Sequence, residues 1–252
     1  MRKINLNREI EKIVDFIRNE LNSAGFSKVV IGLSGGIDSA VTVALCVKAI
    51  GNENVLGLML PYRKSHPDSL SDAEKVAEIL EIKSQIIDIS PMVDTYFSNY
   101  ANDADILRKG NRMARERMCI LYDFSAKTNA LVAGTGNKSE LMVGYCTQYG
   151  DSACAFEPIG HLYKTEVFEL AKTLGLPASV IEKKPTADLW EGQSDEDELG
   201  ISYATLDEIL YGYFELGKSE TELENFGIEN VKKVLKLYNL SEFKRKMPPI
   251  LE

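Results

Sequence analysis

The sequence is poor in the residues that build metal clusters and disulfide frameworks. Its 252 residues include four cysteines (Cys46, Cys119, Cys146 and Cys154), no Cys-x-x-Cys pair, and two histidines. That argues against a structural zinc site. Each cysteine sits in an apolar stretch, where a small buried hydrophobe is the expectation. A reducing, cytoplasmic compartment fits this usage. Long apolar runs are missing too: none approaches the ~18–20 residues that cross a bilayer. The N-terminus carries charges throughout and lacks the apolar centre of a signal peptide. No membrane is expected as a partner. Nor is there a basic excess, since 29 Lys and Arg stand against 38 Asp and Glu, a formal net charge of −9. That disfavours a chain whose main work is gripping nucleic acid, which rests on neutralising phosphates.

What is present is the composition of a globular chain, 44% hydrophobic and 27% charged, and of one domain by length. Ile10, Ile13, Val14, Ile17 and Leu21 recur at helical spacing, and Gly25 ends that helix. Strands are expected at Lys28–Leu33, Asn54–Leu60, Ser84–Ile89 and Ala130–Gly134. Helices are expected at Ala40–Ile50, Asp68–Leu80, Pro91–Tyr100, Asp103–Lys127 and Lys138–Tyr145. This alternation predicts an α/β fold, a doubly wound parallel sheet with helices on both faces and buried, continuously apolar strands. Beyond residue 160 only helices are expected: Lys164–Leu174, Ala178–Lys183, Ser202–Gly212, Thr221–Phe226 and Ile228–Tyr238. The simplest organisation is a single domain over 1–252, with an α/β nucleotide-binding core at 1–160 and a helical C-terminal extension at 161–252. Residues 185–200 are acidic and without period; composition alone reads them as a solvated loop.

Chemistry concentrates in two turns. Ser34-Gly35-Gly36-Ile37-Asp38-Ser39 lies between a strand and a helix. Two glycines let the backbone turn tightly, and the helix start offers N–H groups and a positive dipole end to an anion. The turn contains neither the Gly-Lys-Ser/Thr of a Walker A loop nor a GxGxxG fingerprint. Asp38 there either complements the helix dipole or, beside bound phosphates, holds a divalent cation. Gly134-Thr135-Gly136-Asn137-Lys138-Ser139-Glu140 again joins a strand end to a helix start. Thr135 and Ser139 read as ordinary caps. In open α/β sheets, however, ligands sit outside the carboxyl ends of strands, and Glu140 could give the Asp38 metal a second oxygen.

The first turn resembles the signature of the PP-loop ATP pyrophosphatases, which bind the pyrophosphate part of ATP and cleave between its α and β phosphates. Together with Gly134–Glu140, Gly160-His-Leu-Tyr-Lys-Thr-Glu166, Lys184-Pro-Thr-Ala-Asp-Leu-Trp190 and Lys244-Arg-Lys-Met-Pro-Pro249, the whole chain is similar to the ammonia-dependent NAD synthetases. The resemblance implies an adenine nucleotide alpha hydrolase-like, Rossmann-like fold and the amidation of deamido-NAD by ammonia, with ATP as co-substrate. It implies that Gly32, Leu33, Ser34, Gly35, Gly36, Ile37, Asp38 and Ser39 form the ATP loop. Asp38 and Glu140 fall on magnesium, and Thr135, Lys164 and Thr186 on ATP. Arg115, Gln148, Phe243 and Lys244 fall at deamido-NAD positions, and Asp151 where an acid helps the ammonia step. Many members have Lys where Gln148 stands, Asp where Ala155 stands and His where Phe243 stands. A homodimer is expected by resemblance alone.

Several of these residues have plainer readings. Lys164 alone reads as an exposed lysine at a helix start, and Asp151 as a turn former after Gly150. Arg108, Arg112, Arg115 and Arg117 on one helix are either a solvated basic face or a site for substrate oxyanions. Their neighbours Met113, Ile120, Leu121 and Phe124 suit core or subunit interface equally. Water competes with ammonia for an activated acyl group, so 188–200 is a candidate lid with Trp190 as its apolar plug. Two alternatives remain: another PP-loop ligase, and a sensor that holds ATP without turnover.

Overall fold

Asn5 caps the first helix, α1 (Leu6–Ala24), by accepting the Arg8 N–H at 3.1 Å, and Gly25 ends it in the left-handed region. The chain continues through β1 (Val29–Gly32), α2 (Ile37–Ile50), β2 (Val55–Met59), α3 (Pro67–Ile79) and β3 (Lys83–Ile86). Next come α4 (Ser90–Tyr100), α5 (Ile106–Thr128), β4 (Leu131–Ala133) and α6 (Lys138–Val143). The remainder holds α7 (Lys164–Thr173), α8 (Ala178–Ile181), α9 (Asp195–Leu199), α10 (Tyr203–Leu210) and α11 (Ile228–Leu240). This computed structural model describes residues 2–63, 65–190 and 192–251.

All four strands are parallel, in the order β3-β2-β1-β4, with Val30 of β1 facing Leu56 on one side and Val132 on the other. The period-2 alternation of β1 sends Val29 and Ile31 into an apolar layer shared with α1, α2, α3 and α7. Val30 points the other way, into a layer with Phe97 of α4 and Met113, Met118, Leu121 and Phe124 of α5. The fold is therefore α/β and doubly wound, as the alternation of elements predicts. Met113, Leu121 and Phe124 prove to be core. The sheet grows from β1 to β2 and β3 on one side, and β4 returns to the other. Connections leaving β1 and β4 diverge there, at the topological switch point where such sheets bind ligands.

Five expectations fail. β3 is the sheet edge, so Lys83 to Ile86 are all exposed rather than buried. Residues Thr221–Phe226 wind as a 3₁₀ helix, and the acidic stretch contains the short helix α9. Of the four unpaired cysteines only Cys46 is buried, while Cys119 faces outward from α5. α10 runs on into a π turn, Tyr211–Glu215, that brings Glu215 to the side chains of Lys138 and Tyr163.

Helix α7 packs its Val167, Leu170 and Ala171 into the first apolar layer, so residues beyond 160 complete the sheet's cover. A third cluster joins Val143 and Tyr163 to Leu206, Ile209, Val231 and Val234 of α10 and α11. Leu170→Ala is expected to lower stability by about 2–5 kcal/mol, the usual cost of truncating a fully buried leucine. Urea denaturation should show one transition moved as a whole; two separate transitions would mean that the helical region folds on its own.

Candidate active site

The turn after β1 is shaped by its neighbours. Gly35 adopts φ +73°, and a Cβ there would stand 2.0 Å from the Ser69 carbonyl oxygen, so only glycine fits. Ser39 Oγ donates to the Gly36 carbonyl at 3.0 Å and lies 3.1 Å from Ser34 Oγ, which accepts the Gly36 N–H at 3.2 Å. Gly36 is the N-cap of α2 and carries no capping side chain. The start of α2 is thus left open to an anion.

The turn after β4 is built differently. Asn137, fully buried, caps α6: its Oδ1 accepts the Glu140 N–H at 3.1 Å while Glu140 Oε2 accepts the Asn137 N–H at 3.3 Å. This capping box turns the free Nδ2 of Asn137 toward Asp38, whose Oδ1 it reaches at 2.9 Å. Behind the turn, Glu157 accepts the Gly136 N–H at 2.9 Å and the Cys154 thiol at 3.1 Å. A Cβ on Gly134 would stand 2.5 Å from that carboxylate, which explains the glycine there.

Lys164 joins the two turns. It opens α7, its own N–H donates to Ser139 Oγ at 2.9 Å, and the side chain is only 2% exposed. Asp207 of α10 holds this start by accepting the Thr165 N–H at 2.9 Å and the Ser139 hydroxyl. The Lys164 ammonium lies 2.5 Å from Asp38 Oδ2 and 3.0 Å from Glu140 Oε1. Burial works against that charge, but Asp38, Glu140 and Asp195 outweigh it and hold the proton more tightly than usual. Burial likewise pushes the Glu140 carboxyl up to about 8; Asp38 and Asp195 add to this while Lys164 opposes it. Three acids thus surround one ammonium.

These groups line a cavity of about 770 Å³, within the range of small-molecule sites. Gly32, Leu33, Ser34, Gly36, Ile37, Asp38, Ser39, Thr135, Glu140, Asp151, Lys164, Thr186 and Lys244 all reach it. Lys244 donates to the carbonyls of Gly144 and Cys146 at 2.7 Å each. Asp151 accepts the Thr147 N–H at 2.8 Å, and burial raises its carboxyl above the usual range. Gly35, Arg115, Gln148 and Phe243 lie outside the cavity; Arg115 Nε donates to the Gln148 carbonyl at 3.2 Å.

The acidic stretch does not lie free in solvent. Leu189 and Trp190 pack over Gly110 of α5 and help line the cavity. Asp188 Oδ1 accepts the His66 N–H at 2.9 Å. Asp195, 3% exposed, accepts the Ala187 N–H and the hydroxyls of Tyr145 and Tyr203 at 3.0–3.2 Å. Tyr203 also reaches Glu140, at 3.4 Å, so one acid of the stretch is wired to the junction. Sequence reasoning assigned no role to Asn137, Glu157 or Asp195. Asn137 alone left a signal, the Asn-x-x-Glu of a capping box. It also overlooked Gly212–Ser219, which matches the Walker A pattern Gly-x-x-x-x-Gly-Lys-Ser. That segment follows α10 instead of a strand and does not line the cavity, so it lacks the context of a phosphate loop.

Two carboxyls near the site give stability a pH dependence. Burial pushes Glu157 from near 4.5 up to about 7 and Asp207 from near 3.8 up to about 6. The folded state binds these protons more tightly than the unfolded chain. Their contribution is therefore complete below about pH 4 and is lost as pH rises through 6 to 7. Glu157→Gln is expected to melt about 2–4 °C higher than the parent at pH 8, with little difference at pH 4, by calorimetry.

A family model described as NAD synthase matches residues 9–248. An NH(3)-dependent NAD(+) synthetase of Fusobacterium nucleatum is 50% identical over 254 residues, covering 99% of this chain and 98% of that protein. An NH3-dependent NAD synthetase of Campylobacter jejuni, solved with nitrate, superposes with TM-score 0.86 at 37% identity, covering 99% and 100%. An NMN synthetase of Francisella tularensis superposes with TM-score 0.88 at 33% identity, covering 99% of both chains. On the open start of α2, the buried junction and these likenesses, the chain belongs to the NAD synthase family.

Proposed function

We propose that this chain catalyses the ATP-dependent amidation of deamido-NAD by ammonia, giving NAD, AMP and pyrophosphate through an acyl-adenylate. The observation that carries this reading is the meeting of Lys164 with Asp38 and Glu140 at the mouth of the turn after β1. A carboxylate is a poor electrophile. Its oxygen must first attack the α-phosphorus, expelling pyrophosphate; ammonia then adds to the acyl carbon, loses a proton and expels AMP. Main-chain N–H groups of the Ser34–Ser39 turn would hold the pyrophosphate portion, with Lys164 supplying charge in place of a Walker lysine. Thr135 and Thr186 suit the nucleotide, and Lys244, with Gln148, Arg115 and Phe243 farther out, suits deamido-NAD.

Asp38 and Glu140 fit a magnesium ion. They offer oxygen donors only and converge on one point, where both reach the Lys164 ammonium. Among the described residues no third protein ligand joins them, the usual case where substrate phosphates and water complete the magnesium shell. Magnesium there would neutralise charge gathering on the phosphate oxygens. Asp151, its carboxyl raised by burial, suits a base that draws in ammonium and takes its proton. Burial pushes the Cys146 thiol at the cavity wall up to about 11. So weak a thiolate former is unsuited to hydrolysing glutamine, which favours free ammonia.

The stretch 185–200 would act as the lid that excludes water, and 1–252 as one catalytic domain. Exposed Tyr100, Ile106 and Leu107 on α4 and α5 support a homodimer. The four unpaired cysteines suit the cytoplasm.

Incubation with ATP, magnesium, deamido-NAD and ammonia should release pyrophosphate and form NAD; glutamine should not replace ammonia. Nicotinate mononucleotide is the second acceptor to try, given the NMN synthetase likeness. Asp38→Asn is expected to lower kcat/KM by about 10²–10³, the scale of losing one key electrostatic group. ATP binding without pyrophosphate release would establish a sensor instead. Trp190 fluorescence should change when ATP and deamido-NAD bind together, and a constant spectrum would remove the lid.

A further inference from the structure

Arg117 stands on α5 with its Nε donating to the Leu60 carbonyl at 3.0 Å, just past the end of β2, and its side chain lines the cavity. That bond occupies one of five N–H donors. Among the described residues no carboxylate comes within ion-pair distance of it, whereas Arg112 on the same helix holds Glu116 at 2.8 Å. Asp188 and Asp151 act on Arg117 only through space, and burial loosens its hold on its proton. A guanidinium stays charged regardless. The fold therefore keeps an incompletely compensated cation at the cavity wall, which is costly unless an anion comes to it.

Geometry limits which anion. Leu60 directly follows β2, the strand next to β1, so Arg117 approaches the cavity from beside the Ser34–Ser39 turn, while Asp151 approaches from the 147–151 segment. On the ligase reading above, the groups that must meet between these two are the α-phosphate and the attacking carboxylate. Building on that reading, we propose that Arg117 binds substrate at the reacting centre, its planar fork taking the α-phosphate oxygens of ATP or the nicotinate carboxylate. Both are planar or near-planar oxyanion pairs that suit bidentate recognition. Arg115, two residues earlier, faces out of the cavity and cannot serve this role within one chain.

Arg117→Gln and Arg117→Lys in the full chain test this. Isothermal titration measures magnesium–ATP and deamido-NAD separately, and calorimetry measures melting without substrates. The Gln variant should melt no lower than the parent, because a half-buried charge without an ion-pair partner has gone, yet bind one substrate at least tenfold more weakly. Loss confined to ATP assigns the phosphate; loss confined to deamido-NAD assigns the carboxylate. Lysine keeps the charge but not the fork, and should fall between. Affinities within twofold of the parent for both substrates would overturn the proposal. So would a lower melting point with equal losses, the mark of a strut between α5 and Leu60. A parent chain that binds ATP but forms no NAD defeats the ligase reading, while the ATP titration still decides Arg117.

Discussion

Everything in the cavity depends on one buried ammonium. Asp38 comes from the first turn of α2 after β1, Glu140 from the first turn of α6 after β4, and Lys164 from the start of α7. Side chains separated by up to 126 residues in sequence thus meet within 3.0 Å. Two carboxylates could not share that space in a low-dielectric interior without a cation between them. Lys164 in turn could not be 2% exposed and charged without the carboxylates. Each group makes the others tolerable. Because the sheet order places β4 beside β1, the two turns carrying the acids open on the same crevice. Topology and electrostatics therefore require each other here.

A second layer holds the first. Asn137 serves as helix cap and as donor to Asp38 at once, so a local rule of helix starts also orients an acid 99 residues away. Asp207 clamps the starts of α6 and α7 together through Ser139 and Thr165. Asp195 extends the same logic to the covering segment. Its carboxylate ends the backbone bond of Ala187 and touches Tyr203, which touches Glu140. The junction is thus two hydrogen bonds away from a segment that lines the cavity.

The parts of this arrangement that follow local rules were legible in the sequence. Strand–turn–helix at 29–50 and 131–143, and the α/β alternation, come from periodicity and glycine placement, and the structure reproduces them within a few residues. Exposure of β3 was not legible, because which strand ends at an edge is a property of topology. The same holds for Cys119, which is exposed on α5 although Met118 and Leu121 beside it in sequence are buried. Lys164 read alone as a solvated lysine; only the resemblance singled it out, since its partners sit 126 and 24 residues away. Four arginines on α5 were equivalent by composition. Only the helix phase relative to the sheet turns Arg117 inward and Arg115 outward. The acidic stretch misled for the opposite reason: its charge suggested solvent, yet Asp195 is buried because two tyrosine hydroxyls and a backbone N–H satisfy it.

Net charge is a poor guide to what such a cavity accepts. A chain at −9 that binds a triphosphate must concentrate its positive potential. The polarity of this cavity is divided rather than uniform. Main-chain N–H groups at the start of α2 present a positive face. Asp151 and Asp195 supply carboxyls elsewhere on the wall, and burial raises both, so a cation arriving beside them favours their charged forms. The proposed reaction needs both signs within one cavity, because pyrophosphate departs in its first step and ammonium arrives for its second. A uniformly basic pocket would hold the nucleotide and repel ammonium, and a uniformly acidic one would do the reverse. Keeping the two fields apart over a few ångströms requires groups that cannot relax toward each other. That is why the charged side chains here are anchored by caps, tyrosines and buried asparagine instead of standing free.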